Sequence, residues 1–249
     1  MNLLVDIGNS RIKWARRNTR GSGRLHAADY TRDNVHACLD TEWHELKRPG
    51  QVWVANVAGK KIADQVTRWT LAHWNIKPRF ATVSAVSGQV RNAYAESGRL
   101  GVDRWLALIA AWRKYATAAC IVDCGTAVTI DGLDGTGRHL GGLILPGISM
   151  MRQALYQNAC GIPASGTGRV VRGLAHNTSQ GVITGCTMAV VALIDRIVKL
   201  LRKKKGTGRL TCIITGGAAQ EIRPLLASRF IHEPLLVLEG LAVMFEGRS

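Results

Sequence analysis

Acidic side chains are scarce: 17 Asp and Glu stand against 33 Lys and Arg in 249 residues, a formal net charge of +16. A surface so short of acid attracts anionic ligands, nucleotides and nucleic acid among them. The densest basic run, Arg202-Lys203-Lys204-Lys205, follows an apolar helical stretch, where cations offset the negative end of the helix dipole, so it reads as a solvated helix end. Metal-binding cysteine patterns are missing. Cys38, Cys120, Cys124, Cys160, Cys186 and Cys212 form no Cys-x-x-Cys and no Cys/His pair at zinc spacing, which excludes a zinc site and reads as reduced, buried thiols. No apolar stretch reaches the length of a membrane span, and Asp6 interrupts the N-terminus too early for a signal peptide. The expectation is a cytoplasmic protein with no membrane partner. No linker or low-complexity segment divides the chain.

What is present is a repeated turn. Cys120-Ile-Val-Asp-Cys-Gly-Thr-Ala-Val-Thr-Ile-Asp131 places Asp123 at the end of an apolar strand, then a small-residue turn, then a second strand. Leu3-Leu4-Val5 leads in the same way to Asp6, the turn Ile7-Gly8-Asn9-Ser10 and a return through Arg11 to Trp14. Glycine lets main chain approach a ligand, and successive N–H groups in such a turn form an anion site. A strand-end carboxylate would repel bare phosphate, so a bridging cation is needed. Mg²⁺ suits it, because that ion keeps several waters and takes one or two carboxylates plus phosphate oxygens. A third glycine turn, Thr215-Gly216-Gly217, follows the apolar run Leu210 to Ile214. Asp and Gly are also ordinary turn residues, so one copy alone would carry no weight.

The periodicity predicts a hairpin over 2–7 and 11–16, a strand over 51–57 and a helix over 62–74 with Ile62, Val66, Trp69 and Ala72 on one face. A short strand is expected at 80–83 and an apolar helix from Asp103 to about Tyr115. The second half predicts a strand over 140–145, a helix over 148–156, an irregular stretch over 158–177, and a helix over 182–201 capped by Thr178. A strand over 210–214 and a closing helix over 235–245 complete it. Strands and helices alternate, so the class is α/β. Two similar halves are expected, 1–117 and 118–249.

In order and spacing, Asp6-Ile7-Gly8-Asn9-Ser10, Gly101-Val102-Asp103-Arg104, Asp123-Cys124-Gly125-Thr126-Ala127, Gly141-Gly142 with Pro146-Gly147, and Thr215-Gly216-Gly217 resemble the type III pantothenate kinases. These belong to the acetate kinase, sugar kinase, Hsp70 and actin superfamily, and the resemblance covers essentially the whole chain. It implies two RNase H-like halves with the nucleotide cleft between them. It also implies transfer of the ATP γ-phosphate to the primary hydroxyl of pantothenate, giving 4'-phosphopantothenate in the first step of coenzyme A biosynthesis. A homodimer, Mg²⁺ and a monovalent cation, potassium or ammonium, are implied as well.

Carried across, Asp6, Ile7, Gly8, Asn9, Ser10, Arg11, Ile12 and Lys13 would form the first phosphate loop, with Asp6 holding magnesium through water. Thr126 would contact ATP, and Asp123 would hold the monovalent cation. Tyr94, Gly101, Val102, Asp103, Arg104 and Thr178 would line the pantothenate site, with Asp103 as the base. One departure is Ser97, followed by Gly98, where members commonly carry proline three residues after the tyrosine; this predicts a looser loop. Each residue also has a plainer reading. Asp103 suits the first turn of any helix, Thr178 any N-cap, Tyr94 any half-buried loop, and Thr215-Gly216-Gly217 any strand-to-helix turn.

Two other functions are weighed. A metal-dependent nuclease of RNase H-like fold would suit the positive charge, yet it needs several carboxylates around two metals and has no use for paired glycine turns. An accessory role in transcription, described for relatives of the family, is the other. No sequence-specific nucleic-acid partner is expected.

Overall fold

The computed structural model describes residues 1–162, 168–204 and 208–246. Lys205 of the basic run and residues 163–167 of the irregular stretch lie outside the described residues. In chain order the strands are β1 (Asn2–Ile7), β2 (Arg11–Asn18), β3 (Gly21–Ser22), β4 (His26–Asp29), β5 (Val52–Asn56), β6 (Arg79–Phe80), β7 (Val86–Ser87), β8 (Val90–Arg91), β9 (Ala119–Cys124), β10 (Ala127–Leu133), β11 (His139–Pro146), β12 (Thr211–Thr215) and β13 (Ile231–His232). The helices are α1 (Val35–Trp43), α2 (Lys60–Trp74), α3 (Val102–Tyr115), α4 (Ile148–Asn158), α5 (Thr178–Lys203), α6 (Ala219–Ile222) and α7 (Leu236–Glu246).

Two compact units emerge. The first comprises Met1–Ala116, Gly137–His139 and Leu235–Ser249; the second comprises Thr117–Thr136 and Leu140–Pro234. In the first unit the sheet order is β3-β2-β1-β5-β6, with β4 also on β2. β1 pairs antiparallel with β2 and parallel with β5, which pairs parallel with β6. In the second unit the order is β11-β10-β9-β12-β13. There β9 pairs antiparallel with β10 and parallel with β12, which pairs parallel with β13. The hairpin-plus-two-parallel-strands pattern is therefore the same in both units. The repeated turn of the sequence is the tip of that hairpin, once in each.

The expected halves, 1–117 and 118–249, differ from these units at Gly137–His139 and at the C-terminus. α7 belongs with the first unit, because a Cβ at Gly240 would fall on the main chain of Leu106 in α3, an approach only glycine permits. Arg17 on β2 adds salt bridges of 2.9 Å to Glu239 and to Glu246. Trp53 on β5 stacks on Phe245, ring centroids 5.3 Å apart. α7 is apolar nearly all round, and only Glu246 of its residues is exposed.

On α2 the buried residues are Ile62, Val66, Trp69, Thr70 and Trp74; Ala72, expected on that face, is exposed. The buried line runs in steps of four, and Trp74 reaches back to the tryptophan cluster, stacking on Trp43 with centroids 5.8 Å apart.

The cap of α5 is Asn177 rather than Thr178. The Asn177 Oδ1 accepts from the Gln180 N–H at 3.0 Å, which caps the helix, while its Nδ2 donates to the Gln180 side chain at 3.1 Å. The expectation that no stretch reaches a membrane span's length also needs correction. Among the described residues α5, at 26 residues, is long and apolar enough by length and composition. In this fold Val182, Cys186, Val190, Ile194 and Val198 lay one of its faces into the core of the second unit.

Candidate active site

In the first unit the turn between β1 and β2 is closed by the Gly8 N–H donating to the Arg11 carbonyl at 3.0 Å. Asp6, next to last in β1, lies opposite Lys13, whose Nζ is 3.8 Å from Oδ2, and only 7% of Asp6 is exposed. The Tyr30 hydroxyl donates to the Gly8 carbonyl, and the Tyr30 N–H to the Ser10 carbonyl, so the loop is braced from behind. Burial raises the Tyr30 pKa above the usual tyrosine value, which keeps the hydroxyl a donor. Asn9, Ser10 and Arg11 face solvent.

Three members of the expected loop are constrained. Ile7 and Ile12 are fully buried in the core, so only their main chain can meet a ligand. The Arg11 guanidinium is engaged by Asp29 on β4, Nε to Oδ1 2.7 Å.

Tyr94 and Gly101–Arg104 are also in the first unit. Gly101 precedes α3, and a Cβ there would stand 2.6 Å from the Asp103 Oδ1. The missing side chain lets the Asp103 carboxylate fold back over the helix start, where Oδ1 accepts from the Arg104 N–H at 2.8 Å. A carboxylate so held at a helix N-terminus is favoured in its ionised form. The Arg104 side chain is buried, and its Nη1 donates to the Tyr94 hydroxyl at 3.1 Å. Val102 is buried and can offer only its main chain. Asn92 pins the tyrosine loop, its Oδ1 accepting from the Tyr94 N–H at 3.0 Å and its Nδ2 donating to the Ser97 carbonyl at 3.2 Å. That bridge restrains the loop at Ser97.

In the second unit the glycine turns converge on the ends of β9 and β12. Thr215 is in register with Asp123. A Cβ at Gly216, which has φ of +92°, would fall on the Asp123 carboxylate and the Cys124 main chain. A Cβ at Gly147 would fall on the carbonyl oxygens of Thr126 and Gly125, and the Gly147 N–H donates to the Thr126 carbonyl at 2.9 Å. The Ala218 N–H donates to the Cys124 carbonyl at 3.0 Å. Three separate loops are thus packed main chain to main chain around Asp123. Burial, with Asp123 adding to it, pushes the Cys124 thiol up to about 12, so it is no nucleophile. Thr178 is in the second unit as the exposed first residue of α5.

Tyr30, Asn92 and His139 take part in these arrangements although no motif includes them. Asn92, two residues before Tyr94, makes an Asx turn that a sequence can suggest. His139 opens β11, one residue before the strand expected over 140–145, and nothing in the sequence singles it out.

Among the described residues no three His, Cys, Asp or Glu side chains are grouped as ligands of one ion, whereas a two-metal nuclease needs such a group. Mg²⁺ fits Asp6 on its donor chemistry. One hard carboxylate oxygen beside an open turn suits an ion that completes its shell with water and phosphate oxygens.

Residues 2–200 match the family model of type III pantothenate kinases. A type III pantothenate kinase of Nitrosococcus oceani is 42% identical over 247 residues, 97% of this chain and 92% of that protein. Another, from Halorhodospira halophila, is 38% identical, covering 97% of this chain and 96% of the relative. Among solved structures, the activator of 2-hydroxyisocaproyl-CoA dehydratase from Clostridium difficile, with ADPNP bound, superposes with a TM-score of 0.54 at 11% identity. It covers 99% of this chain and 94% of that one, which shows the fold alone. The architecture is that of the actin-like ATPases and sugar kinases, α/β with two mixed-sheet units. With a family model over most of its length and relatives matched nearly end to end, this chain belongs to the type III pantothenate kinase family and is an enzyme of that activity.

Proposed function

We propose that Asp103 is the general base of this kinase, that Tyr94, Gly101, Val102, Arg104 and Thr178 receive pantothenate, and that Asp6 to Lys13 with Thr126 receive the ATP phosphates. The observation that carries the reading is the Asp103 carboxylate, folded over Gly101 and bonded to the Arg104 N–H at the start of α3, beside a buried arginine. In the step itself Asp103 takes the proton of the pantothenate primary hydroxyl as its oxygen forms a bond to the γ-phosphorus. The bond from that phosphorus to the bridging oxygen breaks, and ADP leaves. Such transfers rest mostly on positioning and charge stabilisation, with a carboxylate placed to accept the proton. Arg104, fixed by Tyr94, orients the anionic substrate.

Gly8 brings main chain close to phosphate, and Asp6 with Lys13 sets the charge at the loop's base. Mg²⁺, when bound, neutralises phosphate charge. Asp123, enclosed by glycine turns, holds the monovalent cation, potassium or ammonium. The active form is a homodimer, on the resemblance to the family.

The test is ADP release in a coupled assay, with and without pantothenate, in potassium, ammonium and sodium buffers. Release that requires pantothenate and Mg²⁺, and is strongly stimulated by potassium or ammonium but not sodium, is the expected result. Equal rates in sodium and potassium would remove the role given to Asp123. Sedimentation of the same sample tests the dimer.

A further inference from the structure

We propose that His139 is a positioning residue for pantothenate, acting through Tyr94 to hold the Arg104 guanidinium in place. This rests on the reading of Tyr94 and Arg104 as substrate residues. His139 is fully buried, and its ring lies nearly parallel to that of Tyr94, 13° between planes with centroids 6.1 Å apart. At its hydroxyl end Tyr94 meets Arg104, whose guanidinium carbon is 5.8 Å from the ring centroid and whose Nη1 donates to the hydroxyl at 3.1 Å. The imidazole thus packs against the ring and blocks the tilt that would carry the hydroxyl off the guanidinium.

The histidine is itself anchored to the segment that delivers the tyrosine. Gly137, two residues before it, has φ of +83°, and a Cβ there would stand 2.7 Å from the Gln89 carbonyl oxygen. The Arg91 N–H donates to the Gly137 carbonyl at 3.0 Å, and the Trp112 Nε1 of α3 donates to the Gln89 side chain at 3.1 Å. β8 leads from Val90–Arg91 straight into Asn92 and Tyr94. Residues 137–139 thus tie together β8, the tyrosine loop and the helix that carries Arg104. Offset stacking of this kind restrains a ring without consuming its polar groups. Removing the imidazole leaves Tyr94 with a void on one face and lets the hydroxyl leave Arg104.

The experiment compares His139→Ala, His139→Phe, Tyr94→Ala, the His139→Ala/Tyr94→Ala double variant and Arg104→Lys by steady-state kinetics and thermal melting. His139→Ala is expected to raise KM for pantothenate about tenfold while kcat and KM for ATP change less than about threefold, the pattern of lost binding rather than lost chemistry. His139→Phe, which keeps a flat ring, restores KM to within about threefold. In the Tyr94→Ala background, His139→Ala adds nothing, because two residues acting through one contact are not additive. A purely structural role would lower the melting temperature and the active fraction while leaving KM for pantothenate where it was. That outcome, or independent multiplication of the two effects, overturns the proposal. Should His139→Ala not fold, His139→Val, which still leaves a gap beside Tyr94, carries the same expectations. Arg104→Lys separates the two levels. If it leaves KM for pantothenate unchanged, the substrate reading itself fails; if it raises KM while His139 variants do not, only the positioning role fails.

Discussion

Replacing Gly101 by alanine adds one carbon and asks whether the start of α3 is built for chemistry or for folding. The backbone of Gly101, at φ −59° and ψ 137°, accepts alanine without strain. Alanine is a poorer N-cap than glycine, a loss on the order of 0.5–1 kcal/mol. Against that, it narrows the unfolded ensemble, a gain of about 0.4–1 kcal/mol. The two nearly cancel, so the melting temperature is expected to stay within about 4 °C of wild type. The new Cβ, however, would stand 2.6 Å from the Asp103 Oδ1, whereas ordinary contact begins at 3.4 Å. The carboxylate must retreat by about 0.8 Å, the difference of those distances, which breaks its 2.8 Å bond from the Arg104 N–H. A misplacement of about 1 Å at a reacting group costs roughly 10²-fold in rate. Coupled ADP-release kinetics should therefore show kcat down by about two orders of magnitude in a protein that melts normally. A Gly101→Ala enzyme with wild-type kcat would refute the reasoning.

Two further outcomes follow from the phosphate turns. Cys124 is held as a thiol up to about 12 against an ordinary 9.0, so the folded state keeps a proton that the unfolded chain loses. Its contribution to stability is complete below pH 9 and declines between pH 9 and 12, and titration with a thiol reagent at pH 8 should modify exposed Cys160 while sparing Cys124. Loss of Cys124 before Cys160 would contradict its burial. Asp6→Asn should raise KM for Mg²⁺-ATP by about tenfold or more, with KM for pantothenate little changed, because its carboxylate serves the metal-bound phosphates; an unchanged nucleotide KM would remove Asp6 from that role.

The parts legible in the sequence are those whose chemistry is local. A strand-end aspartate followed by a glycine turn appears twice, and in both places the fold has a hairpin tip beside a parallel strand. The helix of Asp103 is equally local, opening at Val102 with the carboxylate in its first turn. What stayed hidden depends on distant partners. α7 is an apolar helix in any reading, but its address is set by Gly240 lying on Leu106, a contact across more than a hundred residues. Thr178 and Asn177 are both acceptable caps, and the choice falls to Asn177 because Gln180 can answer its side chain. The β7–β8 hairpin reads as polar loop, since two-residue strands carry no alternation to detect. His139 is hidden for the same reason as α7: the ring it stacks on belongs to a tyrosine 45 positions away.

The base assignment is tested most directly by turnover of Asp103→Asn, which keeps the shape and the bond from the Arg104 N–H but cannot take a proton. Single-turnover transfer from ATP to pantothenate should slow by about 10²–10⁴-fold, as for other general bases, while ATP binding and the melting temperature stay close to wild type. Near wild-type transfer by a folded Asp103→Asn dimer would contradict it.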